Sequence, residues 1–172
     1  MSATKQLFLR DQVLFNAINA SLQRAFVYTP DASFLERRQL WKCLREALIG
    51  ITETYSQPVP EEAHIQNIVN LADTISGDCS NFLVNGRFRI GNAQKALNLY
   101  LKYLWCLEQI PMPPHCPFDS RIISRLSKDV QVSWTRLDDI DSYRALVDAA
   151  KDVAGRLSLA EWELQVYQES FE

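Results

Sequence analysis

The chain has 172 residues and a mass of 19.8 kDa, a size for which we predict a single domain over residues 1–172. Apolar residues make up 47% and charged residues 23% of the chain, which excludes a disordered or low-complexity protein. The formal net charge of −3 argues against a protein that coats nucleic acid or an anionic membrane over its whole surface.

Glycine and proline are scarce, and between them apolar residues recur every three or four positions. This pattern predicts an all-α fold, a compact bundle of about seven helices. The first helix is expected over residues 5–28, and Ser33 with Glu36 forms a capping box that begins the second. Pro60 starts the third helix, and Gly77 is expected to end it as the C′ residue.

The middle of the chain contains the least regular segment, residues 78–91, followed by the most apolar helix. Asn85 and Gly86 predict a tight turn, either in a small β-hairpin or between a helical turn and a loop. A helix over residues 93–107 is apolar on most of its faces, so we expect it at the centre of the core. Residues 111–117 are rich in proline and should be extended.

The last third of the chain has clear helix boundaries. Asp119 is expected to cap a short helix. Asp141 should begin a longer helix that Gly155 ends, and Ser158 with Glu161 forms a second capping box for the last helix. We find no internal repeat and no linker.

Membrane, metal and cofactor sites have little support in the sequence. No apolar run is long enough to cross a bilayer and the N-terminus lacks a signal peptide, so we expect a cytoplasmic protein with no membrane partner. No catalytic-serine motif or glycine-rich phosphate loop occurs. Cys106, His115 and Cys116 lack a fourth ligand and the usual metal spacing, so we expect buried, reduced thiols and neither metal nor cofactor.

The positive charge is concentrated in one segment. Residues 87–128 contain seven basic and two acidic residues, a local net charge of +5, which leaves −8 for the rest of the chain. Such a patch suits a protein that grips a short piece of phosphate backbone, and a solvated basic face is the alternative. The basic residues are Arg87, Arg89, Lys95, Lys102, Arg121, Arg125 and Lys128.

Two short motifs lie within this basic segment. Residues 90–96 read Ile-Gly-Asn-Ala-Gln-Lys-Ala, and residues 117–119 read Pro-Phe-Asp. Over about residues 90–123 the chain resembles the helix-hairpin-helix DNA glycosylases, and Gln-Lys is most similar to their archaeal 8-oxoguanine branch. The resemblance implies a base-excision glycosylase and abasic-site lyase that binds DNA. Lys95 would be the Schiff-base nucleophile and Asp119 its acidic partner.

The same resemblance implies a helix-hairpin-helix-like turn that contacts a DNA phosphate. In the family a Gly-x-Gly turn presents backbone N–H groups to the phosphate. Gly91, Asn92 and Ala93 occupy that place here, with alanine instead of the second glycine. Arg87 and Arg89 precede the turn and would add to the phosphate contact.

Chain length allows Lys95 and Asp119 to meet. The helix from Lys95 to residue 109 rises about 21 Å, and residues 110–118, extended, span about 28 Å. Asp119 can therefore return to the N-terminal end of the helix. Burial and the helix dipole would lower the pKa of Lys95 and a close Asp119 would raise it, so the sequence leaves the direction open.

Other roles for the chain stay open. A target base outside the duplex needs an aromatic pocket, for which Tyr100, Tyr103, Trp105 and Trp134 are candidates, with a place in the core as the alternative. The alternative function is a non-catalytic helical module that binds nucleic acid or a protein. A third possibility is a homo-oligomer that hides its apolar stripes between copies.

Overall fold

The computed structural model describes residues 2–169, and within them the chain is helical, as the sequence predicts. None of these helices has the length and apolar character that crossing a lipid bilayer requires. Short 3-10 turns lie at Glu53–Ser56, Ser80–Phe82, Val84–Gly86 and Lys128–Val130. The α-helices are α1 (Ala3–Leu22), α2 (Phe34–Thr52), α3 (Glu61–Cys79), α4 (Ile90–Cys106), α5 (Ser120–Ile123), α6 (Ile140–Ala154) and α7 (Leu159–Glu169).

The most apolar helix, α4, is the central element of the bundle. It contacts α1, α2, α3 and α6, and most of its residues are buried. One cluster of buried apolar side chains includes members of all seven helices. The predicted central helix is thus confirmed, because a helix that is apolar on most faces is stable only when other helices surround it.

Four of the predicted capping signals are confirmed, whereas α6 begins at Ile140 with Asp139 as its N-cap instead of at Asp141. The Ser33 hydroxyl accepts a hydrogen bond from the Glu36 N–H at 3.3 Å, and the Ser33 N–H donates to the Glu36 carboxylate at 2.7 Å. Ser158 and Glu161 make the same reciprocal pair at the start of α7, at 3.2 and 3.1 Å. Asp119 caps α5, and the left-handed Gly155 follows the end of α6.

The first helix ends earlier than predicted, at Leu22 instead of residue 28. Arg24 and Phe26 adopt left-handed backbone conformations, with φ of 59° and 45°. The following residues then leave α1 to pair with a distant segment, where Tyr28 forms an isolated antiparallel bridge with Leu83. This long-range pairing replaces helical hydrogen bonds, and it leaves Phe26 84% exposed.

The connection between α3 and α4 also differs in detail from the prediction. Gly77 lies inside α3, which continues to Cys79, so the predicted end of that helix was wrong. Asn85 and Gly86 do form a tight turn, with φ of 57° and 65°. This turn belongs to a 3-10 segment and not to a hairpin. The next helix begins at Ile90, so the expected turn at residues 91–93 is the first turn of α4.

Candidate active site

Lys95 and Asp119 line the same cleft, which has a volume of about 360 Å³. The cleft lies between the second turn of α4, the first turn of α5, the end of α1 and the loop before α6. The structure thus brings together the two residues that the resemblance singled out. The other lining residues are Ala20, Gln23, Arg24, Ser120, Arg121, Ser133, Trp134 and Thr135.

Two buried amides of α4 hold the returning chain beside Lys95. The Gln94 side chain donates to the Phe118 carbonyl at 2.8 Å and accepts from the Phe118 N–H at 3.1 Å. One turn later, Asn98 donates to the Cys116 carbonyl at 3.0 Å. These bonds satisfy the backbone of a segment that has no helix of its own. They place Asp119, the next residue, near Lys95.

These amides are the positioning residues that the sequence interpretation missed. Gln94 and Asn98 are 0% exposed, and they are spaced four residues apart on one face of a mainly apolar helix. Buried amides are costly unless they are hydrogen-bonded, so such a pair indicates a backbone partner across the helix face. The four-residue spacing of these two amides on an apolar helix was the signal in the sequence that could have identified them.

The Lys95 side chain is half-buried against an aromatic ring. Its Nζ lies 4.0 Å from the centroid of the Trp134 ring. Burial lowers the pKa of Lys95, the Asp119 carboxylate opposes that shift, and the Arg24 guanidinium adds to it, with a net lowering. The ring face also favours the charged amine. Lys95 is therefore an amine whose proton is easier to remove than that of an exposed lysine.

The Asp119 carboxylate is fixed at the start of α5. Its Oδ1 accepts hydrogen bonds from the N–H groups of Arg121 at 2.9 Å and Ile122 at 3.2 Å. Within residues 2–169, Lys95 and Asp119 form no ion pair at 4.0 Å or less. The carboxylate thus acts on the amine across the open cleft, where a ligand has room to enter.

The predicted phosphate-contacting residues Gly91, Asn92 and Ala93 are buried, and their backbone N–H groups are paired inside the protein. The Gly91 N–H donates to the Leu137 carbonyl at 2.8 Å. The N–H groups of Asn92 and Ala93 both donate to the Arg89 carbonyl at 3.0 Å. These donors are occupied, so the geometry does not support a phosphate contact at this turn.

The two arginines before the turn, Arg87 and Arg89, form ion pairs and hydrogen bonds within the protein. Arg87 forms an ion pair with Asp73 at 2.6 Å, and its side chain is 30% exposed. Arg89 donates to the backbone carbonyls of Ala25 at 3.2 Å and Thr135 at 3.1 Å. Both side chains therefore bind other segments of the chain near the start of α4. Neither of them lines the cleft.

Two of the four candidate aromatic residues lie near Lys95. Trp134 lines the cleft, and Tyr103 lines an adjoining cavity of about 380 Å³ that Lys95 also borders. Tyr100 and Trp105 line neither cavity, and Tyr100 is fully buried in the core. Of the four candidates, Trp134 and Tyr103 thus border cavities that Lys95 also lines.

The cysteines and histidines of residues 2–169 form no ligand cluster, and the expectation of a buried thiol was wrong for Cys106, which lies near the end of α4. Cys106 is exposed, whereas His115 and Cys116 are buried. In the part of the chain that the structure describes, no group of three or more His, Cys, Asp or Glu side chains is placed to hold a metal ion. His115 is hydrogen-bonded through Nδ1 to the Tyr143 hydroxyl at 2.8 Å.

The two histidines of the chain pack against each other inside the bundle. The rings of His64 and His115 lie edge to face with centroids 4.6 Å apart. Nδ1 of His64 is hydrogen-bonded to the Tyr55 hydroxyl at 2.7 Å. Burial lowers the pKa of His64 to about 4 and that of His115 to about 2. Both rings are therefore neutral at pH 7.

Comparison with known proteins returned no match, since no protein-family model, curated protein or solved structure is significantly similar to this chain.

Proposed function

We propose that this protein is a DNA glycosylase and abasic-site lyase that uses Lys95 as its nucleophile and Asp119 as the acidic partner. The observation that carries the proposal is the shared cleft, in which a half-buried amine of lowered pKa faces a fixed carboxylate beside an indole ring. An amine becomes a nucleophile only in its neutral form, and burial is one of the ways in which proteins favour that form.

The chemistry needs both groups. At an abasic site, the neutral Lys95 amine adds to the C1′ aldehyde and water leaves, which gives an imine. With an intact damaged nucleotide, the amine displaces the base from C1′, and the base departs with the electron pair of the glycosidic bond and takes up a proton. The C1′–O4′ bond then breaks, which opens the sugar ring and gives the same imine. Asp119 accepts the proton that the amine loses. Loss of a C2′ proton from the imine then expels the 3′ phosphate, and water releases the lysine.

Two exposed arginines near the cleft are better candidates for binding DNA phosphates than the buried turn at residues 91–93. Arg24 and Arg121 both line the cleft, and both are exposed. In the sequence, Arg24 precedes Lys95 and follows α1, whereas Arg121 comes after Lys95 and lies in α5. The fold brings both of them to the same cleft. We assign them the backbone contact that the resemblance had placed at residues 91–93, because both side chains border the cleft at the protein surface, where a DNA backbone passes.

Borohydride trapping tests the proposal. The imine is reduced to a stable amine, so the wild-type protein should become covalently linked to duplex DNA that contains an abasic site or 8-oxoguanine. K95Q should lose the linkage. K42Q is the matched control, because the Lys42 side chain is 74% exposed and lies on α2, outside the cleft.

Two results would decide against the lyase. Wild-type protein that forms no covalent complex with any of these duplexes would remove it, and so would K95Q that is trapped as well as K42Q. DNA binding without trapping would instead favour the non-catalytic module. Circular dichroism of K95Q should match that of the wild type, because Lys95 is only half-buried.

A further inference from the structure

A second concave surface, the aromatic groove, lies between α1 and α2. Its volume is about 640 Å³, and four aromatic side chains from the two helices and the segment between them line it. Phe34 is 76% exposed and Phe15 is 50% exposed, so apolar ring faces are open to solvent. The lining residues are Phe15, Asn19, Leu22, Gln23, Tyr28, Phe34, Arg37, Arg38 and Trp41.

The charge of the aromatic groove is entirely positive. Arg37 donates to the Ala32 carbonyl at 3.1 Å, and its guanidinium lies 4.5 Å from the centroid of the Tyr28 ring. Arg38 is exposed, and the lining residues include no carboxylate. The nearby Glu36 is engaged in the capping box with Ser33. An occupant that matches this surface has flat apolar parts and negative charge.

The aromatic groove adjoins the Lys95 cleft. Gln23 lines both of them, and the next residue, Arg24, lines the cleft. A chain-like ligand that has one unit in the cleft can therefore extend into the groove over Gln23.

We propose that the aromatic groove binds unpaired nucleotides of the DNA strand whose damaged or abasic nucleotide lies in the Lys95 cleft. Their bases stack on Phe34 and the neighbouring rings, and their phosphates face Arg37 and Arg38. Single-stranded nucleic acid is held in this way, by a cationic groove with aromatic stacking platforms. The inference rests on the proposed function and adds an unpaired strand to its substrate.

Binding of an undamaged single strand tests the groove separately from the lyase. The probe is a fluorescein-labelled single-stranded oligodeoxynucleotide of mixed sequence and about 12 nucleotides, followed by anisotropy at several salt concentrations. Because the probe has no damaged or abasic site, its binding does not require Schiff-base chemistry. Failure of borohydride trapping and failure of groove binding are therefore distinguishable.

Two variants and their neighbours make the comparison specific. F34A should weaken binding roughly tenfold, as expected for loss of one stacked base. R38Q should reduce the slope of log affinity against log salt by about 0.7, the value for one phosphate contact of a single strand. The control for F34A is L35A, because Leu35 is 72% exposed on the same helix but does not line the groove. K42Q is the control for R38Q.

Three outcomes would overturn this proposal. The first is that the wild-type protein does not bind the strand, and the second is that F34A binds it as tightly as L35A does. In the third, sedimentation velocity shows a homodimer that F34A dissociates and L35A does not, which would assign the groove to a second copy of the chain. Loss of binding in F34A with an unchanged L35A, in a protein that stays monomeric, would establish the nucleotide site.

Discussion

A Cβ atom placed on Gly91 would lie 1.7 Å from the backbone carbonyl oxygen of Trp134, so only glycine fits where the loop before α6 crosses the start of α4. The same loop places the Trp134 ring against the Lys95 amine, with Nζ 4.0 Å from the ring centroid. Gly91 thus allows the close packing that forms one wall of the cleft. The resemblance implied that Gly91 contacts a DNA phosphate, whereas in the structure Gly91 packs against the loop before α6.

Substitution of Gly91 should therefore be costly. We expect G91A to lower the free energy of unfolding by about 3 kcal/mol, because the loop must move away from α4. Urea unfolding followed by circular dichroism measures the change. The matched control is G77A, since Gly77 is also helical and a Cβ there meets nothing within 4 Å. That variant should gain about 0.5–1 kcal/mol. Equal stability of the two variants would contradict the packing role.

The buried histidine pair predicts an unusual titration. Because the pKa of His64 is lowered to about 4 and that of His115 to about 2, neither ring should take up a proton between pH 8 and pH 5. The chain has only two histidines, so both are easily followed by NMR. In urea both should titrate near the ordinary value of about 6.5. A folded-state midpoint above pH 6 for either ring would show that it is not buried as described.

The same pair should make the folded protein sensitive to acid. An unfolded histidine binds a proton near pH 6.5 but a folded one does not until about pH 4 for His64, so stability falls as pH decreases through this window. Above the unfolded pKa the histidines add no pH dependence. Urea unfolding at several pH values should show this slope. H115Q, although less stable at pH 7, should show a smaller slope, and an unchanged slope would assign the acid sensitivity to other groups.

Variants of Asp119 separate its charge from its capping role. D119N keeps an N-cap acceptor and should preserve stability, whereas D119A should lose about 1 kcal/mol. Both remove the carboxylate that raises the pKa of Lys95, so the pKa of Lys95 should fall further in each. The pH dependence of Lys95 modification by an amine-reactive reagent, read by mass spectrometry, measures this shift.

Asp139 provides the control for the Asp119 variants. It caps α6 through the N–H groups of Asp141 and Ser142, just as Asp119 caps α5, but it does not line the cleft. D139N should leave the pH profile of Lys95 modification unchanged. A profile that moves equally in D119N and D139N would indicate a general change in the fold, and a profile that moves in neither would remove Asp119 from the electrostatics of the amine.

The buried ion pair between Lys102 and Glu163 should behave as a unit. The Lys102 ammonium lies 2.8 Å from Oε1 and 2.6 Å from Oε2 of Glu163, and both side chains are largely buried. We expect K102M or E163L alone to cost about 3–5 kcal/mol, because each leaves an uncompensated buried charge, and the double variant to recover most of that loss. A double-mutant cycle by urea unfolding measures the coupling.

An exposed pair serves as the comparison for that cycle. Lys42 and Glu46 are spaced four residues apart on α2 and lie 3.8 Å apart, with both side chains mostly exposed. Their coupling should be below about 1 kcal/mol because water screens the charges. If the Lys102 and Glu163 losses simply add, the two groups do not form the pair described.

Helix boundaries were predictable wherever a few consecutive residues make them. The Ser33 and Ser158 capping boxes each need only a partner three residues later, and Asp119 needs only the next turn of chain. The lack of helix over residues 111–117 likewise follows from proline itself. Apolar spacing was sufficient to identify α4 as the central helix, because a helix that is apolar on most faces must be surrounded by other helices.

Other boundaries depend on partners that are remote in sequence. The end of α1 at Leu22 is decided by pairing between residues 27–29 and 82–84, which no pattern within residues 1–30 indicates. Gly77 is a common kind of helix terminator, yet α3 continues through it to Cys79, which is buried in the core. Helix propensity is a weak preference, and tertiary contacts override it.

The candidate site divides in the same way. Chain length and the Pro-Phe-Asp motif were enough to predict that Asp119 could approach Lys95, because both describe one continuous stretch of chain. The accessibility of Gly91 and the partners of Arg89 were decided by the loop at residues 133–138, which folds over α4 from far along the sequence. Local hydrogen bonds and periodicity are encoded in neighbouring residues, whereas burial and close approach exist only once distant segments have packed together.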